Sequence, residues 1–185
     1  MKKTITISSS VAAFCLLATP GLAGPDDDKL VINGELEMVT EAGAPDHMEY
    51  VNTIYSGWRF RTDGTQAFQL DDFDNPAMLT VDKAADAFST VEGDAGESCA
   101  SCHDSVESFA GLAAEMPKVD EETGKLVVME DLINECRTER MQADAWTWSG
   151  QDMQGMVAHI GLQSRGMPVN VAIDGAAAPF WEQGK

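Results

Sequence analysis

Positive charge is scarce in this chain. Of 185 residues only 12 are lysine or arginine, against 31 acidic side chains, which gives a formal net charge of −19 and a pI near 4.2. A surface this acidic repels phosphate backbones and anionic lipid headgroups, so nucleic-acid binding and polybasic membrane docking are excluded as leading functions. Long apolar runs are missing as well. The most apolar stretch, residues 11–18, falls well short of the ~20 residues that span a bilayer, so no transmembrane anchor is expected. Histidine and cysteine are few, at three and four, and these scarce side chains carry most of the chemical information. The apolar content is sufficient: 44% hydrophobic residues supply a packed core in one or two domains.

The N-terminus reads as a secretory leader. Lys2-Lys3 precede the short apolar run, and Gly21 and Ala23 place small residues before an abruptly acidic Gly24-Pro25-Asp26-Asp27-Asp28, the layout of a signal peptide over residues 1–23. Cleavage after Ala23 removes Cys15. Phe14 stands where a lipoprotein signal would carry a small residue, which argues against lipid anchoring. The expected location is therefore the periplasm. Export leaves Cys99, Cys102 and Cys136, an odd number in an oxidising compartment where free thiols are normally paired or protected.

Residues 24–79 show poor helical periodicity and many turn signals, among them Asn33-Gly34, Asp63-Gly64 and Asn75-Pro76. They read as an irregular arm with one helix and a strand or two. The pattern changes from residue 80. Val81, Ala84, Ala85, Phe88 and Val91 recur at helical spacing up to Gly93, one face of an amphipathic helix. A second helical pattern runs over 125–141, with Val128, Leu132, Cys136 and Met141 on an inward stripe and the charges opposite. A third runs over 150–163, where Met153, Met156, Val157, Ile160 and Gly161 share a face and Asp152 sits in the first turn, favourable to the helix dipole. The fold class is mainly α, with a helical domain over 80–166 behind the irregular N-terminal arm. Residues 167–185 are rich in Pro, Gly and Ala and end in Phe180-Trp181, which reads as a linker and the first turn of an apolar helix with nothing to pack on, so the chain is expected to continue.

Cys99-Ala100-Ser101-Cys102-His103 has the spacing of c-type haem attachment, in which Cys99 and Cys102 form thioethers with the haem vinyls and His103 ligates iron. A Cys99–Cys102 disulfide or half of a zinc site is the bland alternative, but zinc wants a second pair and only Cys136 is left. For the opposite axial position the sequence offers Met116, Met167, His159 and Cys136. Met167 follows the last helix instead of preceding it, and His159 in mid-helix reads as a packing residue. Cys136 combines an inward position with an unpaired thiol, which a thiolate bound to ferric iron would explain; the competing reading is an inert buried cysteine. Arg59, Arg61, Arg137, Arg140 and Arg165 are the candidates for pairing with haem propionates, each against the reading of a locally paired charge.

Three strings, Ser98-Cys99-Ala100-Ser101-Cys102-His103, Leu132-Ile133-Asn134-Glu135-Cys136-Arg137, and the run from Val157-Ala158-His159 to Arg165-Gly166-Met167-Pro168, together resemble the SoxA subunit of the SoxAX thiosulfate-oxidising cytochromes. Tyr55-Ser56-Gly57-Trp58 and Asp72-Phe73-Asp74-Asn75-Pro76 are similar to the same family. The resemblance implies a c-type cytochrome domain over 80–166, with 167–185 as the linker and start of a missing second haem domain, in a two-haem subunit whose first haem has His103 and Cys136 as axial ligands. It also implies partnership with the small cytochrome SoxX and the oxidative joining of thiosulfate to a cysteine of the SoxYZ carrier. The family's catalytic haem belongs to a second domain, and neither its attachment motif nor its cysteine ligand occurs in this sequence, so no catalytic residue is assigned. A stand-alone periplasmic electron-transfer cytochrome is the alternative expectation.

Overall fold

The computed structural model describes residues 29–185, so the leader read over 1–23 lies outside the described residues. The arm is built of short antiparallel pairs. β1 (Leu30–Ile32) pairs with β2 (Leu36–Met38), and β3 (Glu41–Gly43) pairs with β4 (Thr53–Tyr55). Asn33 and Gly34 both take positive φ at the first turn, the conformation this pair adopts most readily. Four strands stand where one or two were expected, because three-residue strands are too short to show an alternating pattern. Leu30, Ile32 and Trp58 form a small core of their own, flanked by Leu36 and Met38. Trp58 is locked from both ends: its ring N–H donates to the Gln66 carbonyl (3.4 Å) and the Gln66 amide donates to the Trp58 carbonyl (3.1 Å). Gln66 lies on α1 (Asp63–Leu70).

The main core belongs to two crossing helices. α2 (Met78–Ser89) buries Val81, Ala84 and Phe88, as the spacing predicts, whereas Val91 lies beyond the helix end and is exposed. α5 (Gln151–Gly161) buries Met153, Gly155, Met156 and Ile160. At Gly155 an added Cβ would sit 3.0 Å from both the Thr80 carbonyl and its methyl group, so the two backbones approach closely because this position has no side chain. Ala84, Phe88, Met129, Ile133, Met153, Met156 and Ile160 make one contiguous cluster.

The 125–141 pattern resolves differently from a single helix. Leu126–Val127 is a strand (β6) that pairs with Lys118–Val119 (β5), across a turn in which Asp120 accepts from the Thr123 N–H. The helix proper, α4, is Met129–Glu135. It opens with Asp131 accepting from the Val128 N–H at 3.0 Å, which satisfies one of the donors that a helix start leaves free. It then widens into a π turn over Cys136–Arg140, closed by Met141 N–H to the Cys136 carbonyl at 3.1 Å.

The last segment corrects a further expectation. α6 (Ala178–Gly184) has something to pack on: Trp181 meets the His47 ring edge-on at 5.2 Å, and with Phe180 it borders a groove shared with Pro117, Leu126 and Val169. The arm is tied to the core through Asp72, whose carboxylate accepts from Asn33 (3.0 Å) and from Arg165 (2.8 Å). The Arg165 bond holds the Asp72 carboxyl below its ordinary pKa, with Asn33 and the Arg165 charge adding to the effect against some burial.

Candidate functional site

The short helix α3 (Cys99–His103) is fixed at its start by a reciprocal serine cap. Ser98 Oγ accepts from the Ser101 N–H (3.2 Å), and Ser101 Oγ accepts from the Ser98 N–H (3.0 Å). A five-residue helix has little stability of its own, so this cap decides where the Cys-x-x-Cys-His side chains point. Asp104 ends it at φ 57°.

Cys99 and His103 line a cavity of about 310 Å³, and Cys136 lines it too. The other walls are apolar: Phe88 from α2, Phe109 and Leu112 from the loop beyond α3, Met129, Leu132 and Ile133 from α4, and Met156 and Ile160 from α5. The His103 ring lies 4.6 Å from the Phe109 ring, which fixes its attitude by packing. Cys102 is exposed and does not line the cavity, and all three thiols are free. Burial is the first cause that raises the Cys99 and Cys136 thiols above their ordinary pKa. Mutual repulsion adds to it, from Cys136 on Cys99 and from Cys102 on Cys136. Arg140 and Arg137 oppose the rise at Cys136. Burial thus favours the protonated form of both thiols, and coordination to a metal is what would convert Cys136 to thiolate.

Several sequence candidates are set aside by position. Met116 and Met167 are outside the cavity wall, as is His159. The His159 ring packs against Phe88 with 6.0 Å between centroids, and burial lowers its pKa against a weaker pull from Glu107. Three of the five candidate arginines are engaged within the chain: Arg59 with Glu41 (2.7 Å), Arg137 with Glu92 (2.7 Å) and Arg165 with Asp72 (2.8 Å). The cation bordering the cavity is instead Lys118, on β5. Met129 and the 106–115 segment were also missed. Their signal is faint but present: Val106, Phe109 and Leu112 recur every three residues, the period of the 3₁₀ turns Val106–Phe109 and Leu112–Glu115 that carry them.

Whether a haem suits this site is decided by its donors and walls. An imidazole and a thiol line one largely apolar cavity, Cys99 lines it as well with Cys102 one turn away on α3, and among the described residues there is no cluster of three or more His, Cys, Asp or Glu fit for a bare metal ion. The donor set fits haem c. Residues 83–169 match the model of the SoxA/TsdA cytochrome c domain. The chain is 50% identical, over 99% of its length, to the L-cysteine S-thiosulfotransferase subunit SoxA of Paracoccus pantotrophus. Residues 83–169 are a cytochrome c domain of the SoxA/TsdA type.

A second SoxA, from Rhodovulum sulfidophilum, is 50% identical over 88% of the chain. The crystal structure of SoxXA from P. pantotrophus superimposes with a TM-score of 0.82 at 52% identity, over 87% of this chain and 62% of that one. The chain spans 64% and 57% of the length of the two SoxA relatives. As a cytochrome c domain of the SoxA/TsdA family, it takes haem c as its prosthetic group. No helix among the described residues is long and apolar enough to cross a membrane.

Proposed function

We propose that this chain is the N-terminal haem-bearing part of a periplasmic SoxA subunit, with residues 24–79 as an arm and 80–166 as the haem domain. Cys99 and Cys102 hold one haem c covalently, and His103 and Cys136 are its axial ligands. The observation that carries this reading is that His103 and Cys136 line one largely apolar cavity, reached from two elements that lie far apart in sequence. When bound, haem c supplies one-electron redox chemistry.

The residues of the chain do the rest. The Ser98 cap orients Cys99, Cys102 and His103; Phe88, Phe109, Ile133 and Met156 exclude water; Lys118 supplies a countercharge for a haem carboxylate at the rim. A buried anionic sulfur ligand favours the ferric state, so the site is a low-potential one. Its function is support or relay within a SoxAX complex that joins thiosulfate to a cysteine of the SoxYZ carrier. A further haem in the full-length subunit belongs to the same proposal, and no residue here is assigned to substrate chemistry.

The test is covalent attachment. The protein matured with haem in a periplasm, then denatured and digested, should yield a peptide containing Cys99 and Cys102 with haem mass added. Cys99→Ser together with Cys102→Ser should abolish it. Haem that washes away on denaturation would contradict the reading.

A further inference from the structure

Cys136 is held through its backbone, its N–H donating to the Leu132 and Ile133 carbonyls and its carbonyl accepting from the Met141 N–H. It sits at the start of a π turn, where a wider backbone ring replaces the α-helical one, and such turns are rare and frequent at functional sites. The next residue is held on three sides. The Arg137 guanidinium is buried, with 5% of the residue exposed. It pairs with Glu92 at 2.7 Å, its Nε donates to the Asp144 carbonyl at 2.9 Å, and its plane lies 4.0 Å from the Trp146 ring centroid. Its own carbonyl accepts from the Ala143 N–H at 2.8 Å. Trp146 is fixed in turn, since its N–H and carbonyl are both bonded to the Asn134 side chain.

Glu92 is at the other end of the contact, and its position gives the contact a purpose. It lies in the loop that runs from α2 into α3, a few residues before Cys99. That loop is laced to the segment after the π turn: Asp94 N–H donates to the Gln142 carbonyl and Ala95 N–H to the Met141 carbonyl, each at 3.2 Å. Gly93 takes φ +72°, and a Cβ there would overlap the Met141 carbonyl, so only glycine permits this approach. The Glu92–Arg137 pair thus ties together the two segments that bring lining residues to the cavity, one carrying Cys99 and His103 and the other carrying Cys136.

We propose that Arg137 is a positioning residue: clamped between Glu92, Asp144 and Trp146, it fixes the π turn so that Cys136 is presented to the iron held by His103. The proposal rests on the reading of Cys136 as an axial ligand. What matters is the shape of the guanidinium, which forks and stacks at once, and lysine offers only a point charge.

The experiment uses the full chain matured with haem in a periplasm, in wild-type, R137K, R137M and E92Q forms. The readouts are the low-spin ferric EPR signal and the reduction potential, with thermal unfolding as the check on folding. The clamp predicts that R137K resembles R137M. In both, at least a tenth of the haem loses the thiolate-type signal and the potential rises, with a smaller change of the same sign in E92Q. R137K matching the wild type would show that Arg137 acts only as a charge, and would overturn the proposal; so would an unchanged signal in all three variants. If R137M fails to fold, R137K and E92Q still decide. Loss of the proposal in these ways leaves the wild-type thiolate signal intact, whereas a wild type without that signal would overturn the ligand reading itself.

Discussion

His159 and Cys136 are both half-buried groups whose environment disfavours charge, yet the consequences differ. Burial lowers the His159 pKa from its ordinary value of 6.5, against a smaller opposing pull from Glu107. The unfolded chain then binds the proton more readily than the folded one. Stability is complete above pH 6.5 and falls as pH drops toward the lowered folded value. Urea unfolding of wild type and His159→Gln across pH 5–8 should show the acid-side slope shallower in the variant; parallel profiles would mean that His159 is not the group responsible. At Cys136 the same desolvation keeps the thiol neutral until a metal takes its proton. Replacing the sulfur anion by a neutral thioether in Cys136→Met should raise the haem potential by on the order of 100 mV or more, within the ~0.8 V range that axial ligands command. Spectroelectrochemical titration reads this directly, and an unchanged potential would remove Cys136 from the coordination sphere.

At the scale of elements, the α2–α5 crossing sets the floor of the cavity, since Phe88, Met156 and Ile160 reach it from these two helices. Gly155→Ala would press a methyl group onto the Thr80 backbone. It should destabilise the protein by about 1–3 kcal/mol, the usual cost of overpacking, visible as a lower unfolding midpoint; an unchanged midpoint would mean that the crossing has slack. Both helices were legible in the sequence because each carries an unbroken apolar face at helical spacing. The Cys-x-x-Cys-His segment was legible because its chemistry lies in adjacent residues. The 125–141 stretch was legible only in part: Leu132 and Cys136 do line the cavity, but a two-residue strand and a π turn have no period that a window of sequence can register. Arg137 illustrates the same limit. A charge beside a helix reads as solvated, and its burial depends on Glu92, Asp144 and Trp146, partners that only the folded chain assembles.

For the whole molecule, the arm and the helical core are joined through a few polar contacts and not through a continuous apolar layer. Asn33, Asp72 and Arg165 connect three distant segments, while the Trp58 cluster and the α2–α5 cluster stay distinct. The acidic balance, at −19, favours partners with basic faces and makes association sensitive to salt. The site lined from both α3 and the π turn would, on the proposed reading, bind haem c with the His103 imidazole and the Cys136 thiolate as iron ligands. Optical and low-temperature EPR spectra of the haem-matured protein, before and after dithionite, test it most directly. A low-spin ferric signal of thiolate type that resists reduction is expected. An easily reduced haem with a methionine-sulfur charge-transfer band would contradict it, and would make the domain an ordinary electron carrier.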